Sequence, residues 1–252
     1  MIQFAKFFIT SAALLLLFVS ASAQIGVGFQ GGYISSDFRF DDEGTNAQVI
    51  NNERVDGYVL GVFIERRLSK KIWLQGEINF KRTGTDRTHL VELDETRSVR
   101  ELINRRFNYV EVPVLLKYKI SASRFSIAAT AGPSFSYARN AEATITTTSI
   151  IDGIEFTGDG DEFDIEFDQE MIRRIDFGGQ LGLQLSIPVK VGKFILDGRY
   201  RRGFTNLNDG INENRFGSLE DYETTTQSIS FTMGYMRTFG RNLEVSDYNT
   251  DL

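Results

Sequence analysis

The chain of 252 residues has no cysteine, three prolines, one histidine and one tryptophan. Without cysteine there is no disulfide and no thiol chemistry. A chain of this kind, if exported, is held by its hydrogen-bond network or by a large buried surface. Basic excess is also missing: the net charge is −6. That argues against a nucleic-acid partner, because phosphate binding needs a basic face. Beyond residue 24 no stretch reads as a membrane helix. What is abundant is glycine (23) and phenylalanine (21). A helical membrane protein does not have this composition. A transmembrane β-barrel does, because half of each strand faces a polar interior.

Residues 1–24 read MIQFAKFFITSAALLLLFVSASAQ, with one early charge, Lys6, an apolar run ending at Val19, and Ala21-Ser22-Ala23 as a small-residue cleavage site. This is the pattern of a secretory signal peptide. A membrane anchor is the alternative, but the run is short for ~20 spanning residues, and no basic cluster follows it. Cleavage after Ala23 gives a mature chain starting at Gln24.

Residues 107–120, FNYVEVPVLLKYKI, set the pattern for the rest. Val110, Val112, Val114, Leu116, Tyr118 and Ile120 alternate with Glu111, Pro113, Leu115, Lys117 and Lys119. A period of two is a strand with one oily face and one mixed face. Alternation alone leaves open whether the oily face meets a soluble core or lipid. Seven further strand candidates follow the same rule, at 25–38, 57–68, 71–85, 124–137, up to 187, 193–206 and 225–239. In the last, Ile229, Phe231, Met233, Tyr235 and Phe239 oppose Ser230, Thr232, Gly234 and Thr238.

The connections alternate in length. Tight turns are expected at 69–70, 121–123 and 190–192, and long loops at 39–56, 86–106, 140–174 and 207–224. Short turns at one end and long loops at the other is the layout of an outer-membrane barrel. A soluble up-and-down barrel has no reason to follow it so strictly.

The mixed faces choose between the same two architectures. They are rich in Gly, Ser, Thr and Gln, and they carry Glu65, Glu77, Lys81, Glu111, Lys117, Asp197, Arg199 and Arg201. A soluble barrel would fill its interior with apolar side chains and point these charges outward. The expected fold is therefore all-β: an eight-stranded antiparallel up-and-down transmembrane β-barrel, with lipid outside and charge within. Eight strands leave an interior that side chains largely fill. Isolated buried pairs are costly to desolvate, so the eight charges are expected to form a network that plugs the lumen. Tyr58, Trp73, Tyr118, Tyr137, Tyr200, Tyr235 and Phe239 are candidates for interfacial girdles. Their strand propensity is an equally good account of each.

Several motifs resemble one family. NYVEVPVLLKY at 108–118 resembles the "Y-L-E-I-P-L-L-L-K-Y" strand of PorT-like outer-membrane β-barrel proteins. AGPSFSY at 131–137 is similar to the family's following "G-P-x-x-x-Y" strand, and DFGGQLGLQL at 176–185 to its glycine-rich sixth. LDGRYRRGFTNL at 196–207 and SISFTMGYMRTF at 228–239 resemble the seventh and closing strands. The resemblance implies a barrel in a Gram-negative-type outer membrane with no catalytic residues to carry over. Some relatives support protein secretion. The chain departs from the usual barrel ending by continuing past Phe239 as GRNLEVSDYNTDL, a tail expected on the periplasmic side.

Two other features were weighed as sites. His89 could serve a barrel enzyme only with a partner in hydrogen-bond reach, and the sequence shows none. Residues 152–170 hold nine acids and no Lys or Arg. Carboxylates at 158–161 could hold a hard cation, but the spacing is not that of a helix–loop–helix calcium site. Phe163, Ile165 and Phe167 keep the parity of Phe177 and Leu181, and Thr144, Thr146 and Thr148 continue the fifth strand. The simpler expectation is a β-hairpin protruding beyond the membrane, turning at 152–153 or 158–161.

The expected organisation is a signal peptide at 1–23, an outer-membrane barrel at 24–239 and a periplasmic tail at 240–252. The expected role is non-catalytic, structural or interaction-type, through the external loops and the strand five–six hairpin. No cofactor or metal is expected. The expected partners are outer-membrane lipid around a monomeric barrel, and a protein or ligand at the extracellular loops. A small porin-like channel or a secretion-associated component is the alternative.

Overall fold

In the computed structural model the described residues are 24–40, 48–94, 96–122, 124–165, 167, 173–207 and 224–239. The expected leader, 1–23, and the expected tail, 240–252, lie outside them.

Eight long strands make the barrel: β1 (Ile25–Phe40), β2 (Gln48–Arg67), β3 (Ile72–Asp94), β4 (Arg97–Ser121), β5 (Ser126–Ile151), β8 (Ile175–Val189), β9 (Gly192–Gly203) and β10 (Thr224–Phe239). Two short strands, β6 (Ile154–Thr157) and β7 (Asp161–Asp164), attach to β5. Every pairing is antiparallel, each long strand pairs with the next long strand, and β1 closes the ring on β10 from Ile25↔Phe239 to Phe40↔Thr224. Closure pairs the backbone on both sides of every strand within the membrane, where water cannot satisfy it.

The oily faces point outward. Leu60, Val62, Phe80, Leu116, Leu181, Leu183, Phe231 and Met233 are each at least half exposed, whereas Glu65, Glu77, Glu111 and Lys117 are buried. On β4 the outward apolar row runs from Val110 to Ile120. Ten steps at ~3.4 Å give roughly 34 Å of strand, or about 26 Å of membrane at a tilt of ~40°.

Above that band the pattern reverses. On β4 the outward residues become Asn108, Arg106 and Asn104, and the inward ones Tyr109, Phe107, Arg105 and Ile103. On β5 the extra residue Arg139 lets Asn108 face Asn140 while Tyr109 faces Ala138, so Ala141 and Ala143 turn inward. This is a β-bulge, and it re-aims every side chain beyond it. In the membrane the wall is apolar outside and polar inside. Beyond it the outer face turns mainly polar, and aromatic and aliphatic side chains such as Phe107, Tyr109 and Ile103 join Thr83, Thr85 and Arg87 inside.

The reversal also explains where the structure departs from the expected loops. Residues 86–106 are not a loop: β3 and β4 stay paired from Asp86↔Asn104 out to Asp94↔Arg97. Residues 48–56 likewise belong to β2, and 140–151 to β5. Once the outer face leaves lipid, polar residues occupy it, and the lipid-type alternation that marks a membrane strand is gone. Backbone pairing and outer ion pairs hold the extension instead, including Arg106–Asp86 at 2.5 Å and Arg82–Glu142 at 3.1 Å. The hairpin turns at Asp152 and Gly153, whose φ angles of 50° and 78° are left-handed. Two such residues in succession fit a tight hairpin that follows the strand twist.

The interior is layered. At the short-turn end Phe63, Ile195 and Met236 form a small apolar layer. Gly28 belongs to this layer because a Cβ there would lie 2.4 Å from Phe63 Cζ. At the opposite mouth a larger apolar cluster joins Phe38, Phe107, Tyr109, Ala141, Phe167 and Leu207, among others. Its members Ile165 and Phe167 are buried, whereas Phe177 is exposed to the outside. The expected shared parity of these residues therefore does not hold. The Ile165 N–H still donates to the Ala141 carbonyl at 2.8 Å, so its inward side follows the register of β5 beyond the bulge, whereas Phe177 pairs with Phe135 before it.

Trp73 also departs from the girdle reading. Its ring is 2% exposed inside the barrel, with Lys119 Nζ 4.8 Å from its centroid. On the outer wall, Tyr235 contacts both Phe29 at 6.2 Å and Phe194 at 5.6 Å, making an aromatic cluster near the short-turn rim.

Candidate functional site

Between the two apolar layers lies the polar interior. Strand parity places Glu65, Glu77, Lys81, Glu111, Lys117, Asp197, Arg199 and Arg201 on inward positions, and all eight are buried. They fall into two groups along the barrel axis.

The group nearer the short turns centres on Lys117. Its Nζ lies 2.6 Å from Glu65 Oε2 and donates to Gln75 Oε1 at 2.7 Å and Gln184 Oε1 at 2.5 Å. Gln184 Nε2 passes the chain to Asp197 Oδ2 at 3.1 Å. Arg199 Nη2 donates to the same Asp197 oxygen at 3.1 Å, and its Nη1 lies 2.7 Å from Glu77 Oε1. Glu77 also accepts from Gln30, Gln75 and Asn79 at 2.8, 2.5 and 2.8 Å.

The group nearer the mouth centres on Arg201. Its Nε lies 2.7 Å from Glu111 Oε1, and its Nη2 lies 2.9 Å from Asp176 Oδ2. Lys81 Nζ meets the same Glu111 oxygen at 2.8 Å. Arg201 Nη1 donates to Thr226 Oγ1 at 2.6 Å, and Thr226 donates to Asp176 at 2.6 Å. Ser136 donates to Glu111 at 3.2 Å.

Four cations thus meet five carboxylates, so the layer lies within one charge of neutrality. Neutrality decides whether it can exist, because a buried charge without a partner costs several kcal/mol. Charge-assisted contacts from Arg199 to Glu77 and from Arg201 to Glu111 and Asp176 tie together strands distant in sequence. A cavity of about 20 Å³ separates the two groups, lined by Gln30, Asn79, Lys81, Gln180, Arg199 and Arg201 among others. A second, of about 10 Å³, lies by Tyr109 and Asp176. Each has room for about one water molecule.

Asp176 is the network member that the sequence reading did not single out. Its signal is its parity: it shares an inward row with Gly178 and Gln180 on β8. It stands at the start of the strand, where alternation is shortest and least visible.

The other two candidates stand apart from this interior. His89 lies on the protruding part of β3, opposite Val49 on β2 and Glu101 on β4. The acidic stretch forms β6, β7 and their connection, and residues 152–164 are all exposed. Among the described residues no group of three or more His, Asp or Glu is placed to hold a metal ion.

A family model described as an outer membrane protein beta-barrel domain matches residues 20–209. Among solved structures, the attachment invasion locus protein Ail of Yersinia pestis is 15% identical, with 85% of this chain and 99% of that chain covered and a TM-score of 0.37. The outer membrane protein OprG of Pseudomonas aeruginosa is 11% identical, with 87% and 97% covered and a TM-score of 0.39. Neisserial surface protein A is 11% identical, with 84% and 97% covered and a TM-score of 0.35. No curated protein sequence matches the chain.

Proposed function

Because the chain belongs to the outer membrane protein beta-barrel domain family, we propose that it is a closed, non-catalytic barrel that acts through its extracellular extension. It is an integral protein of the outer membrane. The short turns then face the periplasm, and the long strands β3, β4 and β5 project to the outside. The observation that carries the reading is the stack of three interior layers. Phe63, Ile195 and Met236 close the periplasmic end, nine ion-paired charges fill the middle, and Phe38, Phe107, Phe167 and Leu207 close the outer mouth. A solute path would have to break all three. Within the family, the resemblance of the motifs at 108–118, 131–137 and 196–207 supports reading the chain as a PorT-like barrel. The reading further takes residues 1–23 as a cleaved leader, 240–252 as a periplasmic tail and the barrel as monomeric.

Two features support an interaction role. Chemistry would need a nucleophile or base with an accessible partner. The buried carboxylates and cations are instead spent on one another. Meanwhile β4 and β5 run for 25 and 26 residues, well beyond what the membrane needs. Liposome swelling tests the closed lumen. Proteoliposomes carrying folded barrel should swell no faster in arabinose than protein-free liposomes, and fast swelling would contradict the reading.

A further inference from the structure

On the reading that the extension is the working part, we propose that the free edge formed by β6 and β7 docks an extended, cationic polypeptide segment by strand addition. Both short strands pair with β5 alone among the described residues, β6 through Thr148↔Thr157 to Ile151↔Ile154 and β7 through Glu142↔Asp164 to Ile145↔Asp161. Among the described residues their far edge therefore presents unpaired backbone donors and acceptors. Such an edge is a ready template for another strand.

The side chains on that edge define what would pair with it. Register places Ile151, Ile154, Phe156 and Phe163 on the inward face of the extension, together with Ala143, Ile145, Ser149 and Asp161. The first four are 42%, 60%, 56% and 40% exposed. These four make an exposed apolar row in water, beyond the lipid band, where no membrane covers it. Glu155, Glu162 and Asp164 lie on the opposite face, and between Ile154 and Asp164 the edge, with Asp159 and Asp161, carries no cation. Arg100, which reaches Glu155 at 3.2 Å, comes from β4.

Strand addition then makes two demands on the partner. Alternate residues must be apolar, to lie beside Ile154, Phe156 and Phe163. The residues between must be basic, to face Glu155, Glu162 and Asp164. Opposite-charge and apolar cross-strand pairs each add a modest increment, and the backbone ladder supplies the rest. The acidic edge also selects against self-association, because two copies brought edge to edge would place like charges opposite one another.

The test uses the full-length barrel in zwitterionic lipid nanodiscs. The probes are a Val-Lys alternating octapeptide, its Val-Glu counterpart and a Val-Lys peptide interrupted by proline. The inference predicts saturable binding of the first alone, at least tenfold weaker in 0.5 M salt. It also predicts at least tenfold weaker binding to Ile154→Ser/Phe156→Ser and to Glu162→Gln/Asp164→Asn. Equal binding of the Val-Glu or proline peptide overturns it, as does binding that survives both double substitutions. Dimers in native mass spectrometry that dissolve with Phe156→Ser also overturn it, in favour of a second copy as occupant. Absent peptide binding overturns the partner chemistry while leaving the closed lumen intact. Solute entry into liposomes overturns the closed lumen whatever the peptides do.

Discussion

Lys117 Nζ sits 2.6 Å from Glu65 Oε2, across the barrel interior, with the two side chains 2% and 3% exposed. Neither charge has water to fall back on. Removing one partner leaves the other buried and unpaired, a loss of about 3–5 kcal/mol. Glu65→Gln should therefore lower the urea midpoint of the folded barrel markedly, read by the gel-mobility shift on boiling. Lys117→Met should do the same. The double variant should lose clearly less than the sum of the two, because the pair is removed together.

Gly28 packs against Phe63 at the periplasmic layer, and a Cβ there would also lie 2.6 Å from the Tyr235 carbonyl oxygen. The backbone cannot yield as a side chain can. Gly28→Ala should destabilise the barrel by roughly 1–3 kcal/mol through overpacking. Adding Phe63→Leu should recover part of that loss in the same urea titration.

Leu183 on β8 and Phe156 on β6 are both exposed, at 65% and 56%. Exposure has a different meaning at each. Leu183 faces lipid, and Leu183→Arg should cost ~2–4 kcal/mol near the bilayer midplane. Phe156 faces water, and Phe156→Ser should change stability by less than about 0.5 kcal/mol. Equal costs at the two sites would mean that the membrane boundary is misplaced.

Much of this was legible in the sequence because the membrane imposes a period of two. Val110 to Ile120 opposite Glu111 and Lys117 gives both the strand and its inside. The period fails as a guide where the solvent changes. Residues 86–106 carry charge on the outer face and little lipid-type alternation, so they read as a loop although β3 and β4 pair from Asp86↔Asn104 out to Asp94↔Arg97. The single extra residue at Arg139 flips every side chain after it, and no local signal marks it. The burial of Ile165 and Phe167 depends on Phe38, Phe107 and Leu207, which lie far away in the chain. Asp176 was hidden because its strand had barely begun.

Asp176 yields a prediction of its own. It holds Arg201 at 2.9 Å and accepts from Thr226 at 2.6 Å. Asp176→Asn keeps the shape and removes the charge. The barrel should lose about 2–4 kcal/mol, somewhat less than for Glu65→Gln, because Glu111 still neutralises Arg201 at 2.7 Å. An effect within error of zero would mean that Arg201 does not depend on Asp176.

Single-channel recording in a planar bilayer tests the closed lumen most directly. Refolded protein, shown to be folded by its mobility shift on boiling, should give a flat trace across the voltage range. A steady open conductance would contradict the account, and Glu111, Lys117, Arg199 and Arg201 would then line a pore rather than fill one.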